Sequence, residues 1–160
     1  MTKKEMKERE VKITTALFER LRLKYELLHF DPIMKRDGRV WWHNKVIYYT
    51  ANVREFKYDK YKELILEYEL AKDMVSYQVQ GFDNWFIQHF FTDEADVYDT
   101  MIFNMTPRIT EWVKENYIPT RVRSFNRTTA TSREIKQHKE YHPLMFDPKL
   151  DKFYKNTKIC

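Results

Sequence analysis

The sequence predicts an α+β fold, a mainly helical single domain carrying a small antiparallel β-meander at about residues 33–53. Three observations carry that expectation. Only two glycines and five prolines occur in 160 residues, too few for a sandwich or barrel of many short strands. Apolar residues recur at helical spacing over much of the chain. One stretch, "KRDGRVWWHNKVIYYTANV", instead joins a turn dipeptide to β-branched and aromatic residues. Eleven Tyr, eleven Phe and four Trp supply rings for a core of adequate size. A chain of this length is most simply one domain, 1–160, with 120–160 packed on it or projecting from it.

The elements follow in order. Ile13, Leu17, Leu21 and Leu28 share one face of a helix from Lys4 to about Leu28, whose first turns are almost wholly charged. Asp31-Pro32 breaks it. Asp37-Gly38 reads as a hairpin turn that pairs Ile33–Arg36 with Arg39–Trp42, and Lys45–Val53 forms a third strand. Tyr58, Tyr61, Ile65, Tyr68 and Val75 predict a helix from Tyr58 to about Tyr77, ended near Gly81. "DNWFIQHFF" reads as a short buried helix capped by Asp83. "TDEADVYDTMIFNM" reads as another, with Asp93, Glu94 and Asp96 at the end where carboxylates complement the helix dipole.

"TPRITEWVKENYIP" has a helix start, with Thr106 as cap, Pro107 at the first position, and Ile109, Trp112 and Val113 facing inward. Thr131 and Glu134 form a capping box that opens a further helix through "TSREIKQHKEY". Asp147-Pro148 repeats the cap-then-proline pattern for a last one.

Charge supplies the main functional clue. The net charge is +5, yet residues 1–119 carry 19 Lys+Arg against 20 Asp+Glu, while residues 120–160 carry 10 against 4. The whole positive excess lies in the last quarter, which suggests an anionic partner. A helix at 106–117, a connection and a second basic helix suit loosely a helix-turn-helix, although about thirteen residues separate the two. Arg121, Arg123, Arg127, Arg133, Lys136 and Lys139 would neutralise phosphates. Thr128 and Ser132 would hydrogen-bond them, and Phe125 would stack on an unpaired base.

Three smaller constellations compete. Glu134, His138 and His142 fall one helical turn apart, a spacing that can ligate a metal, but Lys139 stands where a zinc protease needs glutamate. Glu55 and Lys57 form a Glu-x-Lys of the sort used by metal-dependent nucleases, with Asp37 or Asp31 as the acidic partner. Trp41 and Trp42 are adjacent in a strand, so one of them is available as an exposed anchor for a protein partner. The acidic segment holding Asp93, Glu94 and Asp96 could then imitate a row of phosphates.

The chain has no Gly-rich phosphate loop, haem-attachment sequence or cysteine pair, and Cys160 is its only cysteine. No cofactor is expected. The charged "MTKKEMKEREVK" lacks the apolar core of a secretory signal, and no window nears the ~20 apolar residues of a membrane span, so a cytoplasmic location is expected. The lysine-rich, glycine-poor composition is that of compact accessory proteins of phages and mobile elements. The functional expectation is a non-enzymatic binding protein that contacts nucleic acid or a nucleoprotein complex through residues 120–142. The alternative is a protein-binding inhibitor of a host nuclease or defence complex, of anti-CRISPR-like or anti-restriction-like type. A small metal-dependent nuclease is the third.

Overall fold

The computed structural model describes residues 2–28, 36–59, 64–116, 121–125 and 137–159, with the backbone alone at 121–125 and 137–142. Its elements are α1 (Lys3–Arg20), β1 (Tyr25–Leu27), β2 (Gly38–Trp42), β3 (Lys45–Arg54), β4 (Leu64–Glu67) and α2 (Tyr68–Val79). There follow β5 (Asp83–Phe91), β6 (Val97–Asn104), α3 (Met105–Glu115), β7 (Arg121–Phe125), β8 (Gln137–Leu144) and β9 (Lys152–Lys158). The architecture is therefore mixed α/β, with nine strands and three helices among the described residues, and the mainly helical expectation is wrong.

A six-stranded sheet runs β1-β2-β3-β5-β6-β9, and a three-stranded sheet runs β4-β8-β7. Among the described strands only the β3–β5 pair is parallel, and β4 and α2 supply the long crossover that a parallel pair requires. Helix α1 covers one face of the large sheet, where Leu17 and Phe18 pack with Tyr49, Trp85 and Ile87. The opposite face carries Phe86, Phe90, Met101 and Phe103, and these pack with Met74 of α2, Ile109 and Trp112 of α3, and Leu64, Leu66 and Leu144 of the small sheet. Each fully buried Phe or Leu contributes about 1.5–3 kcal/mol.

The largest correction is "DNWFIQHFF", which is β5 and not a helix. It sits between β3 and β6 with both faces covered, and a strand buried on both sides has no polar alternation to reveal its period. "VYDTMIFN" is likewise strand β6. Asp93, Glu94 and Asp96 therefore lie in the connection between two antiparallel strands and not at a helix N-terminus. The proposed helix from Tyr58 begins ten residues late: "LILE" alternates buried and less buried positions as β4, and α2 starts at Tyr68. Residues 60–63, Tyr61 among them, lie outside the described residues.

Strand β3 matches its expected span, but the hairpin turn is elsewhere. His43 and Asn44 both have positive φ, at 48° and 64°, and join β2 to β3. Positive φ at both central residues is the turn whose twist fits a two-residue hairpin. Gly38 instead belongs to β2 and pairs with Leu27 of β1, not with the Ile33–Arg36 segment, of which 33–35 lie outside the described residues. A Cβ there would stand 2.5 Å from the Tyr49 hydroxyl and 2.6 Å from the Glu26 carbonyl oxygen, so glycine permits the close approach.

Helix α1 stops at Arg20, short of Leu28. Arg22 takes φ 57°, and the amides of Arg22 and Leu23 bond back to the Glu19 and Phe18 carbonyls, which satisfies the helix end. In α3 the cap is Asn104, whose side chain accepts from the Thr106 amide, and not Thr106 itself. Ile109 and Trp112 are buried as expected, whereas Val113 is exposed. Asp147 holds a single turn by accepting from the Lys149 amide, and the chain enters β9 at Lys152 without a helix. Among the described residues no helix is long and apolar enough to cross a membrane.

Candidate functional site

The described parts of the basic segment, Arg121–Phe125 and Gln137–Leu144, are strands where a helix-turn-helix was expected. Strand β8 lies between β4 and β7, so the helix opened by Thr131 does not extend through residues 137–144. The register is informative. Arg123 pairs with Lys139, Arg121 with Tyr141 and Phe125 with Gln137, and Tyr141 and Pro143 pair in turn with Glu67 and Ile65. Directly paired residues share a face, and so do alternate residues along a strand. Positions 121, 123, 125, 137, 139 and 141 therefore share one face with Ile65 and Glu67. The other face is the one on which Leu64, Leu66 and Leu144 are buried. Three basic and two aromatic positions thus lie side by side on the face opposite Leu64, Leu66 and Leu144. Arg127, Thr128, Ser132, Arg133, Glu134 and Lys136 lie outside the described residues.

The strand also corrects the metal reading. His138 and His142 are four residues apart on β8, so at ~3.3 Å per residue their backbone positions are about 13 Å apart rather than one helical turn. Glu134 is outside the described residues, and among the described residues no group of three His, Cys, Asp or Glu side chains could hold a metal ion.

Strand alternation places the two tryptophans on opposite faces, but neither is a bare anchor. Trp41 is half-buried, with the Lys24 ammonium 4.7 Å and the Arg39 guanidinium 5.3 Å from its ring centre. Trp42 is half-buried on the α1 face, with its ring 5.7 Å from that of Trp85. In the β5–β6 connection Asp93 is ion-paired with Lys57, and Asp96 with Arg9 at 3.3 Å. Glu55 is exposed at the end of β3. Asp37 is not beside it: its carboxylate accepts from the Lys7 ammonium at 2.6 Å and from the Ala51 amide at 2.8 Å, four residues back along the strand.

Around Asp37 lies a cluster that no sequence motif singles out. The Lys7 ammonium also bonds Glu10 at 2.7 Å, so one lysine bridges two carboxylates from separate elements. Burial raises the Glu10 carboxyl from 4.5 to about 7; Lys7 opposes the shift and the Asp37 charge adds to it. One turn along α1, the Thr14 hydroxyl donates to the Glu10 carbonyl and also contacts His89 Nε2 at 2.7 Å. Its single proton is committed to that carbonyl, so Thr14 accepts from Nε2–H, and Nδ1, 2.6 Å from the Thr100 hydroxyl, is the acceptor there. Burial of this neutral imidazole lowers its pKa from 6.5 to about 3. Lys7 and Asp37 line a cavity of about 310 Å³ together with Arg54 and Glu67. The sequence signal was faint, since Glu10 is one of several carboxylates in a charged run and nothing in that run marks it as buried.

Compared with protein-family models, with curated proteins and with solved structures, the chain has no significant match.

Proposed function

We propose that the protein binds nucleic acid without turning it over, holding a single strand in preference to a duplex, on the outer face of the β4–β8–β7 sheet. One observation carries this: the register aligns Arg121, Arg123 and Lys139 with Phe125 and Tyr141 on a single sheet face. Cations along such a face neutralise successive phosphates, and aromatic rings among them stack unpaired bases, each stack being worth about 1–3 kcal/mol. A short ribbon of this type can also lie in a duplex major groove, but its aromatic positions would then lack base faces to cover.

The test is fluorescence anisotropy with labelled single-stranded and duplex oligonucleotides over a salt series. The triple variant Arg121→Ala, Arg123→Ala, Lys139→Ala is compared with a charge-matched control, Lys149→Ala, Lys155→Ala, Lys158→Ala, at three exposed positions. The reading expects tight single-strand binding at low salt that only the first variant loses. Equal losses in both would reduce the effect to net charge. No binding at low salt would refute the reading, and the acidic and aromatic surfaces would then be tested by capture of a protein partner.

A further inference from the structure

The large sheet has an open groove on its α1 face, beyond the end of that helix. Register puts Trp42, Ile47, Asp83, Trp85, Ile102 and Tyr154 on this one face, and α1 covers only the half nearer His89. What remains is a cavity of about 400 Å³, within the size range of sites for small organic ligands. Its floor is apolar and aromatic, with Trp85 nearly buried at 7% exposure and the Trp42 ring set edge-on to it.

The polar groups are distributed unevenly. Lys45 and Lys152 are both exposed, at opposite ends of the groove, and neither forms an ion pair among the described residues. The Lys45 end also holds the half-buried Asp83, which pairs in register with Ile47. The first turn of α3, at Thr106 and Pro107, borders the groove beside Asp83: Thr106 Oγ1 accepts from the Asn84 amide at 3.1 Å, and the Thr106 amide is given to the Asn104 side chain. The carboxylate nearest in sequence, Asp151, is fully buried and taken by Arg108 at 2.8 Å, so it does not neutralise Lys152.

We infer that this groove is a mononucleotide site. A planar base lies along the Trp42 ring, with Trp85 set edge-on to both. Asp83 accepts from an amino or imino N–H on the edge of the base. The phosphate lies at the other end, against the Lys152 ammonium. A fatty chain would leave Asp83 and both lysines unmatched. The site is on the opposite side of the large sheet from the basic ribbon and does not depend on it.

Isothermal titration of the full chain with adenosine, cytidine, guanosine and uridine monophosphates tests this, with adenosine and inorganic phosphate as separate arms. The expected result is saturable one-to-one binding of at least one monophosphate. The same ligand should bind about tenfold more weakly after Lys152→Gln, the usual effect of removing one charge-assisted hydrogen bond. Asp83→Asn should weaken the monophosphate and its nucleoside alike, and the triple ribbon variant should bind as the wild type does. Absence of saturable binding by all four monophosphates would overturn the inference, and so would equal affinity for inorganic phosphate alone or indifference to Lys152→Gln. Because Lys152 is exposed, that variant does not endanger the fold. Its oligonucleotide binding reports on the ribbon separately.

Discussion

Replacing Glu10 by Gln should change how stability depends on pH, through two buried groups that act in opposite directions. The Glu10 carboxyl is raised from 4.5 to about 7 in the folded chain. The folded state therefore holds this proton more tightly than the unfolded state. The resulting stabilisation is complete below pH 4.5 and is lost as pH rises through about 7. His89 is lowered from 6.5 to about 3, so its contribution is complete above 6.5 and is lost as pH falls through about 3. Integrated from pH 7 down to pH 5, Glu10 adds about 2 kcal/mol and His89 removes about 2 kcal/mol. The two nearly cancel in the wild type. Glu10→Gln keeps the shape and the acceptor for Lys7 but removes the proton, so relative to wild type its stability should fall by about 2 kcal/mol over that interval. His89→Gln should show the reverse, gaining about 2 kcal/mol relative to wild type as pH falls. Urea unfolding at pH 7, 6 and 5 measures both, with the slope of the transition checked for constancy. Parallel profiles for wild type and Glu10→Gln would refute the argument, because they would mean that the carboxyl titrates alike in the folded and unfolded chain.

Two further outcomes concern the frame that positions these sites. Asp151 is buried and receives two hydrogen bonds from Arg108 and one each from the Asn104 and Asp147 amides. Asp151→Asn should therefore cost about 3 kcal/mol or more, read as a drop in Tm of roughly 6–12 °C; a drop of only a degree or two would mean the bridge is dispensable. Gly38→Ala should cost about 1–3 kcal/mol, because its new methyl meets the Tyr49 hydroxyl and a backbone oxygen in the core. Gly81→Ala meets nothing within 4 Å and is strained only by its φ of 96°, so it should be the milder of the two in the same melting experiment.

The parts of the fold that could be read in the sequence are those whose environment leaves a local pattern. Strand β3 is visible as "KVIYYTANV" because its β-branched and aromatic residues follow a polar turn, and α3 because Ile109 and Trp112 share one stripe. Strand β5 is invisible for the opposite reason: covered on both sides, its run of apolar residues has neither a period of two nor one of 3.6. A capping box and interspersed charges in the sequence from Thr131 favour a helix locally, yet pairing with β4 and β7 makes Gln137–Leu144 a strand. Asp37-Gly38 misleads because its glycine serves a close approach, while the actual turn, His43-Asn44, contains no glycine at all.

The sites divide along the same line. The basic stretch is legible as net charge, but its organisation into one face depends on the register. The groove is not legible, because Trp42, Asp83, Trp85 and Lys152 come from strands far apart in the chain. The Glu10 cluster depends on its bridge through Lys7 to Asp37, 27 residues away by number, that no local pattern announces.

Whether the β7–β8 face binds phosphates is decided most directly by the salt dependence of single-strand binding. Each phosphate that the protein ceases to neutralise reduces the slope of log K against log salt by about 0.7. Removing Arg121, Arg123 and Lys139 together should therefore lower that slope by about 2, while removing Lys149, Lys155 and Lys158 should leave it unchanged. An unchanged slope in the first variant, with binding still strong, would contradict the proposed interface and place the binding surface elsewhere.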